Sequence, residues 1–414
     1  MKKKLKATLV GAGLLVAISG CGTSSSNGNL VISEGVEYEV TDYEKIVAPN
    51  NDLAYKLLDE IQTDDDGNVF FSPTSLFMAL AMVYNGADGD TKVEMAKAMQ
   101  AEGIDAMELN KANAALLTML NKDSEDIQLR IANSIWLNKD YAFTKDFAQR
   151  TKDYFNAETQ RIEVASSDSV KKINDWVKKA TNDKIDKMVE SPLDENLVAM
   201  LLNAIYFKGD WKHPFDKKDT EERVFHVNSR YQKVAPFMKL ERKLAYMANN
   251  EFQAVRLPYA NGEMSMTVVL PNEHTNLEGF KEKLSTENWE MLLQTAFTEM
   301  EGTLLLPKFK LEYEAGLNEA LNALGMQQAF TKDADFTKMV EDGNVLITSV
   351  KQKTYLDVNE EGTEAAAVTG TEMGVTSAPP GDPFYMEVNR PFFLVIKDEE
   401  TGAALFVGDV TNPK

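Results

Sequence analysis

Cysteine occurs once in the 414 residues, at Cys21, so no disulfide can form within the chain. Histidine occurs three times, and His213, His226 and His274 fall in no metal-ligand spacing. No Gly-x-Ser-x-Gly elbow and no phosphate-cradling glycine loop is present, which leaves hydrolase and nucleotide chemistry without a motif. Adjacent carboxylates such as Glu221-Glu222 carry little weight where 65 residues are acidic, because such pairs arise by chance. The sequence therefore offers no catalytic residue, no metal ligand and no cofactor site, and the expectation is a protein that is not an enzyme. Positive charge is also scarce. Lys and Arg number 44 against 65 Asp and Glu, a net charge of −21, which argues against nucleic acid or an anionic polysaccharide as partner. The one basic cluster, Lys171-Lys172 with Lys178-Lys179, is spaced to share a helical face interrupted by Asp175 and reads as solvated surface. After the first twenty residues no apolar run approaches the ~20 residues that a bilayer-spanning helix needs.

What is present begins with a targeting pattern. Lys2, Lys3, Lys4 and Lys6 precede a short apolar run from Ala7 to Ile18, and Gly22 to about Gly35 is rich in Ser, Gly and Asn. Ile18-Ser19-Gly20-Cys21 resembles the lipobox of bacterial lipoproteins. The resemblance implies a signal peptide over residues 1–20, acylation of Cys21, and a flexible tether over 21–36. It further implies export and attachment at the bacterial cell surface, with the membrane reached through the lipid anchor only.

Residues 37–414 show no internal repeat, and no linker-like break occurs before about residue 359, so they are read as one domain. Helical spacing runs from Thr41 to Ile61, with apolar positions at Ala54, Leu57 and Leu58. Asn68 to Ser75 reads as a short strand followed by a Ser-Pro helix start, and Leu76 to Val83 as a buried helix. Further helices are expected after Asp90-Thr91, over Leu109–Leu120, around Phe147–Phe155, from Ile173 and over Leu317–Leu324. Strands are expected at Leu129–Leu137, Leu201–Trp211, Leu257–Tyr259, Met264–Leu270, Gly302–Phe309 and Leu346–Val358. Phe392–Ile396 and Ala404–Val407 form a hairpin pattern around a polar turn.

Between these elements lies a segment of a different kind, Glu360 to Pro380. It holds no Lys, no Arg, no aromatic residue and no proline before Pro379. In extended conformation Glu364 and Glu372 share one face. The other face carries Thr363, Ala365, Ala367, Thr369, Thr371, Met373 and Val375, all uncharged. Such a segment suits two situations: an exposed loop and an inserted strand.

Glu360-Glu361-Gly362-Thr363-Glu364-Ala365-Ala366-Ala367 resembles the reactive-loop hinge of inhibitory serpins. Asn68 to Ser75, Leu201 to Trp211, Asn389 to Phe393 and Phe406 to Pro413 resemble other serpin segments in the family's order. The resemblance covers about residues 37–413 and implies an α+β serpin fold. That fold has a large central, mostly antiparallel sheet with additional sheets, about eight to nine helices, and an exposed reactive loop over 360–380. It implies a gap in the sheet beside Leu201–Trp211 into which the loop inserts. By the family's spacing the reactive bond is Thr376-Ser377, with specificity residues Val375, Gly374 and Met373. The hinge is Gly362, Thr363, Glu364, Ala365, Ala366 and Ala367. Ser72, Ser75, Asn203 and Gln352 match a polar cluster under the sheet opening, and Gln352 stands where the family often has His. Glu360, Lys308 and Trp211 match the top of the sheet.

The implied activity is suicide inhibition of an elastase-like or subtilisin-like serine protease by a monomer. A cysteine protease target and a non-inhibitory binding role are the alternatives. Gly362 is read as allowing a sharp reversal. Thr363 would enter the sheet first, where a charge would cost several kcal/mol unpaired. The absence of charge and proline on the buried parity favours inhibition.

Overall fold

The computed structural model describes residues 32–121, 124–284, 297–363 and 382–414. The signal and lipobox residues, Cys21 included, and the loop residues from Glu364 to Gly381 lie outside these.

Two sheets carry the fold. A six-stranded sheet contains β2 (Ile127–Asn138), β3 (Glu158–Ile162), β4 (Ala199–Asp210), β10 (Phe309–Gly316), β11 (Ile347–Val358) and β12 (Gly362–Thr363), in the order β10-β11-β12-β4-β2-β3. Four of its ladders are antiparallel; β11–β4 and β2–β3 are parallel. The larger sheet has nine strands: β1 (Val69–Phe71), β5 (Glu221–His226), β6 (Gln232–Ala248), β7 (Phe252–Pro258), β8 (Met264–Pro271), β9 (Thr298–Pro307), β13 (Phe384–Glu387), β14 (Phe392–Asp398) and β15 (Ala404–Val410). Among the described residues there are eight α-helices: α1 (Glu44–Leu58), α2 (Pro73–Tyr84), α3 (Gly89–Ala98), α4 (Ala106–Leu120), α5 (Lys145–Phe155), α6 (Ser167–Ala180), α7 (Asn276–Leu284) and α8 (Asn318–Ala323). None is long and apolar enough to cross a membrane.

The two sheets meet through α2. All twelve of its residues are buried, and it packs against β15 on one side and β4 and β2 on the other. A helix apolar on every face has no solvent side to offer, so it sits between layers. The Ser72 hydroxyl accepts from the Ser75 N–H at 3.1 Å, and Pro73 occupies the first helical position, where no N–H is needed. The expected Ser-Pro start is therefore real, and it fixes where the polar end of α2 meets the six-stranded sheet.

Local chemistry explains where the elements depart from expectation. α6 begins six residues before Ile173 because the Ser166 hydroxyl caps it, accepting from the Asp168 N–H at 3.2 Å. Gly302–Phe309 is not one strand, since the chain breaks at Pro307-Lys308 between β9 and β10. β5, the seventeen-residue β6 and α7 had no forecast. β6 interleaves buried and solvent-facing positions with many charges, so it shows no long apolar run. The basic cluster lies on α6 with its charges engaged: Lys171 with Asp175 at 2.5 Å and Lys178 with Asp186 at 2.9 Å, while Lys172 donates to Gln160 at 2.8 Å.

Candidate functional site

β11 ends at Val358 and the chain turns back through Asn359, Glu360 and Glu361. The Asn359 N–H donates to the Gly362 carbonyl at 2.9 Å, and the Asn359 side chain accepts from the Glu361 N–H at 3.0 Å. Gly362 and Thr363 then form β12 between two strands. Thr363 pairs with Val358 of β11 and with Gly209 of β4; Gly362 pairs with Asp210. The first two residues of the hinge are thus already a strand of the sheet.

Below this wedge the sheet is closed. β11 pairs directly with β4 from Ile347/Ala199 to Tyr355/Tyr206, in eight register positions. The expected open gap is corrected to an opening two residues deep. Bare strand edges would leave backbone N–H and C=O groups unpaired in a buried layer, and the parallel ladder satisfies them. Any longer insertion must first part β4 from β11.

The reason for Gly362 is also corrected. It does not occupy the left-handed region. A Cβ there would stand 2.3 Å from the Gly209 carbonyl oxygen and 2.6 Å from the Asp210 Cα. Glycine is needed for close approach of two backbones, not for reversal. Thr363 is fully buried, as expected of the residue that enters first, and its hydroxyl shares a 2.7 Å hydrogen bond with the Tyr259 hydroxyl.

The wedge is clasped from above. The Glu360 carboxylate accepts from Lys308 Nζ at 2.9 Å and from the Thr220 hydroxyl at 2.8 Å. Burial pushes this carboxyl up, but the hydrogen bonds from Lys308, the backbone and Thr220 outweigh it and hold the group below its usual range. Glu361 pairs with Lys217 at 2.5 Å. The Trp211 indole N–H donates to the Asn359 carbonyl at 2.9 Å, and its ring stacks on Tyr259 at 4.5 Å. The Trp211 N–H donates to the Glu361 carbonyl at 2.9 Å, and the Phe215 N–H to that of Glu360 at 2.8 Å. The predicted trio of Glu360, Lys308 and Trp211 does come together, on three separate parts of the chain.

Six residues lower, a second fastening crosses the closed ladder. Gln352 of β11 pairs in register with Asn203 of β4, which pairs in register with Asn133 of β2. The Gln352 amide donates to Asn203 Oδ1 at 2.5 Å and to the Ser72 carbonyl at 3.0 Å, and Gln352 Oε1 accepts from the Ser72 N–H at 2.8 Å. The Asn203 amide donates to Asn133 Oδ1 at 2.5 Å, to the Ser75 carbonyl at 3.2 Å and to the Ser75 hydroxyl. All five side chains are buried. Ser72, Ser75, Asn203 and Gln352 therefore assemble as expected, tying three strands to the start of α2. Asn133 was missed, as were Tyr259, Thr220 and Lys217. Asn133 has no periodicity in β2 to mark it; its register opposite Asn203 does.

Glu364, Ala365, Ala366, Ala367, Met373, Gly374, Val375, Thr376 and Ser377 lie outside the described residues.

A sheet fastened at two levels, holding the first two residues of a further strand, defines a protein built around strand addition. Residues 48–413 match the family model for "Serpin (serine protease inhibitor)". Iripin-2 of Ixodes ricinus is 33% identical over 372 residues, 88% of this chain and 93% of that protein. Leukocyte elastase inhibitor of Bos taurus is 33% identical over 381 residues, 89% of this chain and 100% of that protein. The crystal structure of a thermophilic serpin, Tengpin, in the native state matches with a TM-score of 0.82 at 32% identity, covering 93% of this chain and 98% of that one. The chain belongs to the serpin family, described as serine protease inhibitors.

Proposed function

We propose that this serpin is a suicide-substrate inhibitor of an extracellular serine protease that prefers small residues, elastase-like or subtilisin-like. The observation that carries this reading is β12. Its two residues pair antiparallel with β4, and the same register continued downward would set Met373 opposite Ala199, at the foot of β4. Thr376 would then emerge three residues, about 10 Å, past the sheet. The segment Thr363–Thr376, at ~3.3 Å per residue, reaches about 46 Å when extended.

The chemistry follows from an acyl transfer. The protease serine Oγ attacks the Thr376 carbonyl, its proton passes to the protease histidine, and the Ser377 amine leaves with that proton. Thr376 is then esterified to the protease and free of the downstream chain. Insertion between β4 and β11 would drag the protease toward the far pole. Misplacing its catalytic groups by ~1 Å would slow deacylation by roughly a hundredfold.

Thr376, after Gly374-Val375, is small and uncharged, which fits a shallow apolar primary pocket and not a trypsin-like one. The name of the bovine relative, an elastase inhibitor, supports the same target class. Val375 before the bond gives a cysteine protease target a specific basis as the second reading. A non-inhibitory binding role is the outcome if trapping fails. Acylation of Cys21 would hold the inhibitor at the bacterial surface, and Cys21→Ser would release it to the medium. The test is an SDS-stable one-to-one complex with an elastase-type protease, and a released peptide whose mass begins at Ser377. Clean cleavage without a complex, across several proteases of this preference, would leave only the binding role.

A further inference from the structure

A cavity of about 590 Å³ lies at the foot of the six-stranded sheet. Its floor is Met200 of β4, Ser349, Lys351 and Lys353 of β11, and Glu314 of β10, and its other wall belongs to the segment 187–197 that leads from α6 into β4. Gln352 and Asn203 point to Ser72 and Ser75 at the start of α2, so the floor residues of β4 and β11, which have the other parity, point away from α2. Lys351 and Lys353 both pair with the one carboxylate of Glu314, at 3.2 and 2.8 Å, so the floor carries one cation more than it carries anions. In the other wall Lys187 pairs with Glu190 at 3.4 Å, and Asp194 accepts from the Asn196 N–H at 2.9 Å and its side-chain amide at 3.2 Å.

The register of β12 identifies the occupant. Thr363 stands opposite Gly209 of β4 and Val358 of β11. Nine positions below Gly209 is Met200, and nine below Val358 is Ser349; these two pair with each other in the intact chain. Carried down both strands, the register therefore sets Glu372, nine residues after Thr363, between Met200 and Ser349. Its parity is opposite to that of Thr363, which faces Tyr259, so its carboxylate would face the cavity. The same count sets Ala366 between Tyr206 and Tyr355, and Gly370 between Leu202 and Lys351, small residues beside large ones. On β10 the partner of Lys351 is Gly316, where a Cβ would meet nothing within 4 Å, so the lysine has room on that side as well.

We infer that this cavity is the receptor for the Glu372 carboxylate of the inserted loop, with Lys351 turning from Glu314 to pair with it. Diagonal neighbours on one sheet face stand about 7–8 Å apart, within reach of side chains as long as Lys and Glu. Glu364, the other charge between Thr363 and Thr376, would stay near the top of the sheet beside Lys208. The pairing fixes how deeply the strand seats, and with it the place of Thr376 four residues on and of the protease esterified there. Glu372 and Lys351 are positioning residues, not catalytic ones. This deepens the proposed inhibitory reading and rests on it, because that reading brings the loop into the ladder.

The experiment nicks the full chain in its loop with an elastase-type protease and compares nicked and intact melting at a fixed guanidinium concentration. Wild type, Glu372→Gln, Lys351→Gln, the double variant and Lys351→Arg are measured. Glu372→Gln should lower the nicked melting temperature by about 1–2 °C and leave the intact chain unchanged, because there Ser349 pairs directly with Met200. The double variant should lose no more than the worse single one, Lys351→Arg should restore most of the loss, and 1 M salt should shrink the Glu372→Gln effect. A nicked chain that melts above the intact one but is indifferent to Glu372→Gln, or that shows additive losses, overturns the receptor and leaves the inhibitory reading standing. Nicked and intact chains that melt together would show that no strand enters, and both would fall. Cleavage without a stable complex removes trapping alone, and the nicked product still decides the receptor.

Discussion

The β4–β11 ladder is fastened twice, and the two fastenings are made of different matter. At the top, the Glu360–Lys308 ion pair at 2.9 Å and Trp211 hold a wedge that is already inserted. In the middle, Gln352, Asn203, Asn133, Ser72 and Ser75 hold the ladder shut with amides and hydroxyls alone. The top depends on charge and sits partly in solvent, with the Lys308 side chain 37% exposed. The middle contains no group that titrates between pH 2 and 12 and is sealed from water. A strand entering from the top meets the weak, tunable fastening first and the strong, fixed one afterwards.

The largest effect is expected where the entering strand begins. Thr363→Arg would place a guanidinium in a fully buried site whose hydrogen-bond partner, the Tyr259 hydroxyl, carries no charge. The cost is several kcal/mol, enough to expel β12 and turn the inhibitor into a substrate. Titration against protease should then show cleaved chain and no stable complex. Full retention of trapping would mean that β12 is not where insertion starts. Gly362→Ala should act in the same direction by crowding the Gly209 carbonyl.

Next in size is the middle fastening. Asn203→Ala removes the donor to Asn133 and Ser75 and the acceptor for Gln352, leaving buried amide groups unpaired at roughly 1–3 kcal/mol. Cleaved protein should be hurt less, because loop insertion separates Asn203 from Gln352 in any case. The expected result is a wider melting gap between nicked and intact chains. An equal drop in both would show that the row serves the core generally and does not lock the ladder.

Much of this was legible in the sequence, and the losses are instructive. The hinge stood out because its two charges, Glu364 and Glu372, share one face while the other face from Thr363 to Val375 is uncharged, a pattern carried by one segment. Ser72-Pro73 announced its helix because capping is local. The closed ladder was not legible. β4 and β11 are about 150 residues apart, and nothing within either strand states whether its neighbour is bare or paired. Gly362 was read as a reversal and proves to be a close approach, since a glycine needed for close approach reads the same in sequence as one needed for positive φ. Asn133 and Tyr259 became visible only through partners on distant strands.

The smallest effect separates the two fastenings most cleanly. Lys308→Ala should cost less than about 1 kcal/mol at pH 7, since the lysine is solvent-exposed and its pairing is screened by salt. The Glu360 carboxyl is held below its ordinary value of 4.5, so its contribution is complete above that pH and is lost as pH falls through the depressed value. A second group would mask this. Burial pushes the Asp409 carboxyl up to about 6, with Lys281 at 3.1 Å opposing the rise and Glu278 and Asp59 adding to it. The folded chain therefore takes up a proton at Asp409 between about pH 6 and the ordinary 3.8, and acidification through that window stabilises it, the opposite sign to Glu360. With Asp409→Asn as background, denaturant midpoints at pH 7 and at falling pH should show the Lys308→Ala penalty shrinking as Glu360 is protonated. The Asn203→Ala penalty should stay constant, because no amide or hydroxyl changes its protonation. If both penalties shrank together, the top and middle of the ladder would be a single cooperative latch, and strand entry would have no first step.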